Sequence, residues 1–221
     1  MEINIHSDIK AKIPDFKIGI IQYKHISIGE SPQMLKGRLR LFQESIFFDL
    51  ETKSVSDIQG VAEWRKVFKT IGTDPGKYRP SVEALFRRIK KQTYLTSINS
   101  AVDLNNFFSL QYEIPIGIYD CSTLGRDILI RTGNEDEHYL ALNEREVSLK
   151  NKIISSDEQG AFGSPYVDSK RAPVTEKTTE AIQIIYLRPS LPMEKAVKLT
   201  ESLKDMFLQI HGGEATFSIK M

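Results

Sequence analysis

The fold is decided by residues 78–120, which read YRPSVEALFRRIKKQTYLTSINSAVDLNNFFSLQYEIPIGIYD. Pro80 and Ser81 suit the first turn of a helix, because Pro needs no hydrogen bond there and the Ser hydroxyl can accept one from a free N–H. Apolar side chains then recur at helical spacing at Val82, Leu85, Phe86 and Ile89. The segment predicts one helix with a buried stripe, then a second helix, then a strand ending at Asp120.

Basic side chains crowd the first helix and the chain before it. Across residues 63–91, nine Lys and Arg residues stand against three Asp and Glu residues, a local excess of six positive charges. Such a patch can neutralise RNA phosphates, with an affinity that depends on salt and not on sequence. A charged helix face is often simply solvated, so charge alone leaves both interpretations open. The candidate RNA contacts are Arg79, Arg87, Arg88 and Lys91.

A second helix is predicted to start near Ser97. Its apolar residues are too widely spread for a narrow stripe, whereas Asn99, Asp103 and Asn106 share one face because they lie four and three residues apart. A polar face on so apolar a helix indicates a binding role or a polar partner. Catalysis by Asp103 and Asp120 as paired carboxylates is the less favoured interpretation, since such residues more often cap or bridge structure.

Several motifs stand in a recognisable order along the chain. The basic helix is followed by Asn99, Val102-Asp103, Asn106, Pro115 and Tyr119-Asp120. Further on, Gly160-Ala-Phe-Gly163 and residues 168–178 fit the same pattern more loosely. This order resembles the B3/B4 domain, the tRNA-editing module of the phenylalanyl-tRNA synthetase β subunit, and resembles more closely the freestanding B3/B4 proteins that lack a synthetase. The resemblance runs from about Val61 to the C-terminus.

The resemblance implies an α+β fold, with a B3/B4-like mixed sheet packed against helices. It also implies a pocket that recognises an amino acid wrongly attached to tRNA and assists hydrolysis of the ester by positioning a water molecule. The implied partner is tRNA or aminoacyl-tRNA, with a free amino acid as an alternative ligand. Asn105 and Asn106 take the place of the family's Thr-Asn pair. The candidate substrate-binding residues are Asp103, Asn105, Asn106, Gly117, Gly160, Gly163, Asp168 and Thr175.

Two positions depart from the synthetase pattern. Gly117 stands where that pattern has a His, and Ser164 or Pro165 stands where it has a Gly-Glu. In the family, this Glu recognises the hydroxyl group of tyrosine. Because this chain lacks the Glu, the resemblance does not imply specificity for tyrosine. If this protein edits, a different mischarged tRNA is expected as its substrate.

The sequence assigns no catalytic residue. Cys121 has no neighbouring His, no Ser lies in a Gly-x-Ser-x-Gly elbow, and no pair of histidines has helical metal spacing. The favoured function is a tRNA-binding protein that hydrolyses mischarged aminoacyl-tRNA, and not a complete phenylalanine–tRNA ligase. The alternatives are a non-catalytic binder of an amino acid or related small molecule, and a protein-interaction module that has kept the fold and lost the site.

Composition and net charge limit the kinds of partner and site that are expected. The 221 residues carry 30 Lys and Arg against 29 Asp and Glu, a formal net charge of +1, so any nucleic-acid contact must come from a local patch. One cysteine excludes an internal disulfide and argues against a zinc site. No metal, cofactor, membrane or DNA is expected as a partner. Because no signal peptide or spanning segment stands out, a soluble cytoplasmic protein is expected.

The chain is predicted to form a helix-rich N-terminal subregion, residues 1–72, packed on a B3/B4-like domain, residues 73–221. Trp64 is expected in the core, and residues 182–187 are expected as a central strand because they are apolar on both faces. A hairpin is predicted from residues 114–119 and 127–131, with a glycine-rich turn at 159–165. An amphipathic helix at 193–210 and an edge strand at 216–220 complete the prediction.

Overall fold

The computed structural model describes residues 1–221 and has an α+β fold, as the sequence predicts. Its six α-helices are α1 (Ser7–Lys12), α2 (Gln33–Asp49), α3 (Gln59–Ile71), α4 (Ser81–Lys90), α5 (Ser100–Tyr112) and α6 (Met193–His211). Its strands are β1 (Glu2–Ile5), β2 (Ile18–Lys24), β3 (Ile116–Asp120), β4 (Asp127–Thr132), β5 (His138–Leu140), β6 (Glu146–Ser148), β7 (Ile153–Asp157), β8 (Gly160–Gly163), β9 (Glu180–Tyr186) and β10 (Glu214–Lys220).

The central sheet is antiparallel and has the strand order β10-β2-β9-β3. In β9 every residue from Ala181 to Tyr186 is buried, so both faces of this strand are covered. Only Gln183 is polar among them. The predicted central strand is confirmed, and β10 lies at the edge of the sheet as predicted.

A second four-stranded sheet has the order β1-β4-β7-β8, in which β1 runs parallel to β4 and the other pairs are antiparallel. The short β5–β6 hairpin stands apart from both sheets. Residues 1–72 therefore supply β1 to one sheet and β2 to the other, in addition to three helices.

Two hydrophobic cores lie on opposite faces of the central sheet. The larger core is formed with α2, α4, α5 and α6, and it includes Leu39, Val82, Leu104 and Leu203. The smaller core lies against the second sheet, α1 and α3, and it includes Ile9, Trp64 and Ile130. The molecule thus has three layers, and Trp64 is fully buried as predicted.

Local chemistry explains where the central helices begin and end. Helix α3 ends at Gly72, whose φ of 104° needs the left-handed region that glycine adopts without strain. Helix α5 begins at Ser100, later than predicted, because the Asn99 side chain accepts a hydrogen bond from the N–H of Val102 at 2.9 Å and so acts as the N-cap.

Two predictions about strands were wrong, and one strand was not predicted. The run before Gly125 and the run after it do not form a hairpin, because β3 pairs with β9 and β4 pairs with β1 and β7 in the other sheet. Residues 160–163 form strand β8 and not a turn. The N-terminal β1 was not predicted, although its two inward residues Ile3 and Ile5 alternate with polar ones.

None of the six helices has both the length and the apolar character that crossing a membrane requires.

Candidate nucleic-acid interface

A concavity lined by five cationic side chains lies beside α4, and we call it the basic cleft. It is about 410 Å³ in volume, and it is bounded by α4, the chain that leads into it, the tip of the β5–β6 hairpin and the chain after β8. Its lining residues are Lys77, Arg79, Ala84, Arg87, Arg88, Lys91, Thr93, Asn143, Tyr166 and Val167. Five of these are cationic and none is acidic. The four predicted RNA contacts all line this one cleft.

A buried carboxylate beneath the cleft holds its arginines in place. The Glu83 side chain has no exposed surface, and both of its oxygens lie 3.0 Å from Nη1 of Arg65. Arg87 donates to Glu83 from Nε at 2.8 Å, and Arg79 lies one helical turn before Glu83 with an Nε–Oε1 distance of 3.9 Å. Because a buried charge requires partners, Glu83 fixes these guanidinium groups on one side of α4.

Three of the five cations that line the cleft, Lys77, Arg88 and Lys91, have no carboxylate partner. Arg88 and Lys91 are exposed, and neither forms a salt bridge within the chain. A smaller concavity of about 400 Å³ lies on the other side of Arg87 and Lys91, where Lys90 adds a further charge. Positive charge therefore continues around the C-terminal end of α4, and the unpaired cations are free to bind an anion.

Aromatic rings lie beside the cations. Tyr166 lines the cleft and packs edge-on against Tyr78, with ring centroids 5.5 Å apart. The ammonium group of Lys152 lies 3.6 Å from the centroid of the Tyr78 ring. Burial, together with the nearby positive charge of Lys77, lowers the pKa of Lys152 to about 8. A partly exposed tyrosine ring next to cations is an arrangement on which a nucleotide base can stack.

The predicted substrate-binding residues of α5 make contacts within the helical layer. The Asp103 carboxylate accepts hydrogen bonds from Ser97, from Ser31 Oγ at 2.5 Å and from the Ile98 N–H at 3.0 Å, so it ties two loops to α5. Asn105 accepts a hydrogen bond from Gln183. Asn106, in contrast, is partly exposed and has no hydrogen-bond partner in the chain.

Gly117, Gly163 and Asp168 come together around Tyr119, on the opposite face of the central sheet from Asn105. An added Cβ would lie 2.0 Å from the Tyr119 hydroxyl at Gly117 and 2.2 Å from it at Gly163, so the tyrosine fills the space that the two glycines leave. Its hydroxyl donates to Asp168 Oδ1 at 2.7 Å. Sequence reasoning noted Tyr119 only as part of a motif and gave no sign that it occupies this space.

Gly160 and Thr175, the other two predicted substrate-binding residues, lie outside the group around Tyr119. Gly160 is the first residue of β8 and has a φ of 114°, and its carbonyl accepts a hydrogen bond from Arg171 at 2.9 Å. Thr175 is exposed and forms a tight turn with Thr178. Thr178 in turn donates to Asp120, which also accepts from the Ser122 N–H at 2.8 Å, so Asp120 has the capping role favoured from the sequence. No cluster of three metal-ligating side chains occurs in the structure.

The Glu83 arrangement predicts that Glu83→Gln destabilises the protein by about 2 kcal/mol or more, because the arginines lose their buried counter-charge. Urea unfolding measures the loss. The matched control is Glu194→Gln, which removes an exposed i,i+4 partner of Lys198 on α6 and is expected to cost less than about 0.5 kcal/mol. Equal stability of Glu83→Gln and the native protein would contradict this role for Glu83.

The surroundings of Asp168 predict a pH-dependent stability. Burial raises the pKa of its carboxyl from 3.8 to about 6, so the folded state holds the proton more tightly than the unfolded chain does. The contribution of Asp168 to the free energy of unfolding should therefore fall by about 1–3 kcal/mol as the pH rises from about 4 to about 6. Asp168→Asn should lack this fall, measured by urea unfolding across the pH range. Identical pH profiles for the native protein and Asp168→Asn would contradict a raised pKa of Asp168 in the folded state.

Comparisons with known proteins agree with the sequence-based resemblance. The model of the B3/4 domain matches residues 63–200. The chain is 37% identical over 216 residues, 98% of both chains, to "Uncharacterized protein YhzB" of Bacillus subtilis (strain 168). It is 29% identical over 93 residues to the phenylalanine–tRNA ligase β subunit of Psychrobacter arcticus, which is 41% of this chain and 12% of that subunit.

The corresponding subunit of Cutibacterium acnes is 33% identical over 89 residues, 40% of this chain and 10% of that subunit. Among solved structures, an N-terminal fragment of the phenylalanyl-tRNA synthetase β-subunit from Pyrococcus horikoshii superposes with a TM-score of 0.47 at 13% identity, covering 97% of this chain and 50% of that one. The family match alone spans more than half of the sequence. The chain belongs to the B3/4 domain family.

Proposed function

We propose that this protein binds tRNA and that the basic cleft holds the phosphate backbone. The observation that carries the proposal is the convergence of five cationic side chains on one concavity without a single acidic lining residue. The formal net charge of the chain is only +1, so this concentration of positive charge is local. Phosphate neutralisation by such a cluster supplies affinity that does not depend on base sequence.

The choice of tRNA as the nucleic acid rests on the family relationship. Relatives that share the matched segment are named as phenylalanine–tRNA ligase β subunits. The partly exposed ring of Tyr166 adds a surface on which an unpaired base can stack beside the phosphates. A single-stranded segment of the tRNA therefore suits the cleft better than a uniform duplex does.

We also propose that the bound tRNA carries the wrong amino acid and that the protein hydrolyses its ester. An aminoacyl ester is already activated, so orienting it against a water molecule can supply several kcal/mol of the barrier without a covalent intermediate. The chain has neutral polar groups suited to orientation, and among the predicted substrate-binding residues of α5 only Asn106 has a side chain that is partly exposed and unpaired. The family relationship supports this finer function.

One observation favours a second candidate function, binding without turnover. The Tyr119 side chain fills the space between Gly117 and Gly163 and is held there by its hydrogen bond to Asp168. An aminoacyl group can enter this space only if the tyrosine leaves it. In the second candidate function the protein holds tRNA, or an amino acid alone, and performs no hydrolysis.

The tRNA-binding proposal predicts that Arg88→Ala/Lys91→Ala weakens binding to unfractionated tRNA by about tenfold or more at moderate salt. The slope of log affinity against log salt should fall by about 1.4–1.8, since two phosphate contacts are lost. Fluorescence anisotropy across a salt series measures both quantities. These two residues have no partners in the chain, so their removal should leave the fold intact.

The matched control for this measurement is Lys195→Ala/Lys220→Ala. Both lysines are exposed, and they lie on α6 and β10, which contribute nothing to the cleft. The control should bind tRNA as the native protein does. If both double variants lose affinity equally, the cleft is not the binding surface.

The editing proposal predicts selective hydrolysis of one mischarged tRNA in a panel of correctly and incorrectly charged tRNAs. Asn106→Ala should abolish that hydrolysis while it leaves tRNA affinity unchanged, because Asn106 lies on α5 and outside the basic cleft. Release of labelled amino acid measures the reaction. If the native protein binds tRNA but hydrolyses no member of the panel, the editing proposal is refuted and the second candidate function stands.

A further inference from the structure

Helix α2 carries apolar residues on two opposite faces, one of them buried and the other exposed. Its inner face packs into the larger core through Leu35, Leu39 and Ile46. Its outer face carries Met34, Leu41 and Phe48, whose exposed fractions are 66%, 68% and 64%. These three residues are spaced by seven, which is two helical turns, so they form one line along the solvent side.

Small side chains lie along the same line. Gly37 and Ser45 are both exposed and lie between the three large residues, and a Cβ added at Gly37 would meet nothing within 4 Å. We call Met34, Gly37, Leu41, Ser45 and Phe48 the outer stripe. Alternating large and small residues give a surface into which the side chains of another helix can fit.

The charges on α2 are separated along its length. Basic residues occupy the first half, at Lys36, Arg38 and Arg40. Acidic residues occupy the second half and the position just beyond it, at Glu44, Asp49 and Glu51. Within one chain Lys36 pairs with Glu30 and Arg40 pairs with Glu44, whereas Arg38 and Asp49 form no salt bridge. A second copy of α2 laid parallel to the first would place like charges together, whereas an antiparallel copy places the basic half of each helix beside the acidic half of the other.

We propose that α2 is a homodimer interface, in which two copies of this chain pair their outer stripes in antiparallel orientation about a two-fold axis near Leu41. Leu41 then contacts Leu41 of the second copy, Met34 contacts Phe48 of the second copy, and Gly37 faces Ser45. The stripe is self-complementary in size and in charge, which is what a two-fold interface requires. A second copy of this chain matches the outer stripe in both side-chain size and charge, because the two ends of α2 are complementary to each other.

The dimer leaves the proposed tRNA site free. No residue of α2 lines the basic cleft, so each protomer keeps its cleft accessible. The inference is therefore independent of the tRNA-binding proposal, and its test does not involve tRNA.

Sedimentation equilibrium of the native protein tests the dimer. The expected mass approaches twice the 25.2 kDa of one chain as the concentration rises. Leu41→Glu should return the mass to that of one chain, with an unchanged circular dichroism spectrum, because it places two carboxylates at the two-fold axis. Leu142→Glu is the matched control, since Leu142 is 51% exposed on another part of the surface, and it should remain dimeric.

Single cysteines test the orientation. In a Cys121→Ser background, Leu41→Cys should form a disulfide-linked dimer under mild oxidation with a copper–phenanthroline oxidant. Met34→Cys should not link to itself, but should link to Phe48→Cys when the two proteins are mixed. The proposal is overturned if the native protein stays monomeric at every concentration, if Leu41→Glu remains dimeric, or if Met34→Cys links to itself.

Discussion

The structure depends on the burial of strand β9 on both of its faces. A strand that is apolar on both sides needs a layer above it and a layer below it, and here the helices supply one layer and the second sheet supplies the other. Its one polar residue, Gln183, is accommodated because it donates to Asn105 and accepts from the Tyr23 hydroxyl at 2.7 Å. This requirement fixes the three layers.

The basic cleft follows from how α4 is anchored. The apolar stripe of α4 faces the core, and Glu83 is buried beside it with Arg65, Arg79 and Arg87 around its carboxylate. One buried negative charge thereby organises three arginines, and the exposed Arg88 and Lys91 extend the positive surface. A cation held by a buried partner loses less side-chain entropy when a phosphate binds, which favours recognition at this surface.

Much of the fold could be predicted because its signals are local. The helical spacing in α4 and α6 and the doubly buried β9 lie within short segments, and each B3/B4 motif is itself short. The pairing of β1 with β4 joins residues more than a hundred positions apart, and no local pattern encodes such a partner. Contacts between residues distant in sequence were also missed at the candidate site. Four of the five cations that line the cleft were candidate RNA contacts from the sequence, and Lys77 was not. Glu83 counted only as a charge, and no sequence signal indicated that Tyr119 fills the space beside Gly117.

The most direct test of the tRNA-binding account is ultraviolet crosslinking of the native protein to tRNA, followed by mass spectrometry of the linked peptides. If tRNA occupies the basic cleft, the linked residues lie in and around it, with Tyr166 and the peptides that contain Arg88 and Lys91 foremost, and the links are lost as the salt concentration is raised. Links confined to surfaces outside the cleft, or an absence of links at low salt, would contradict the central claim.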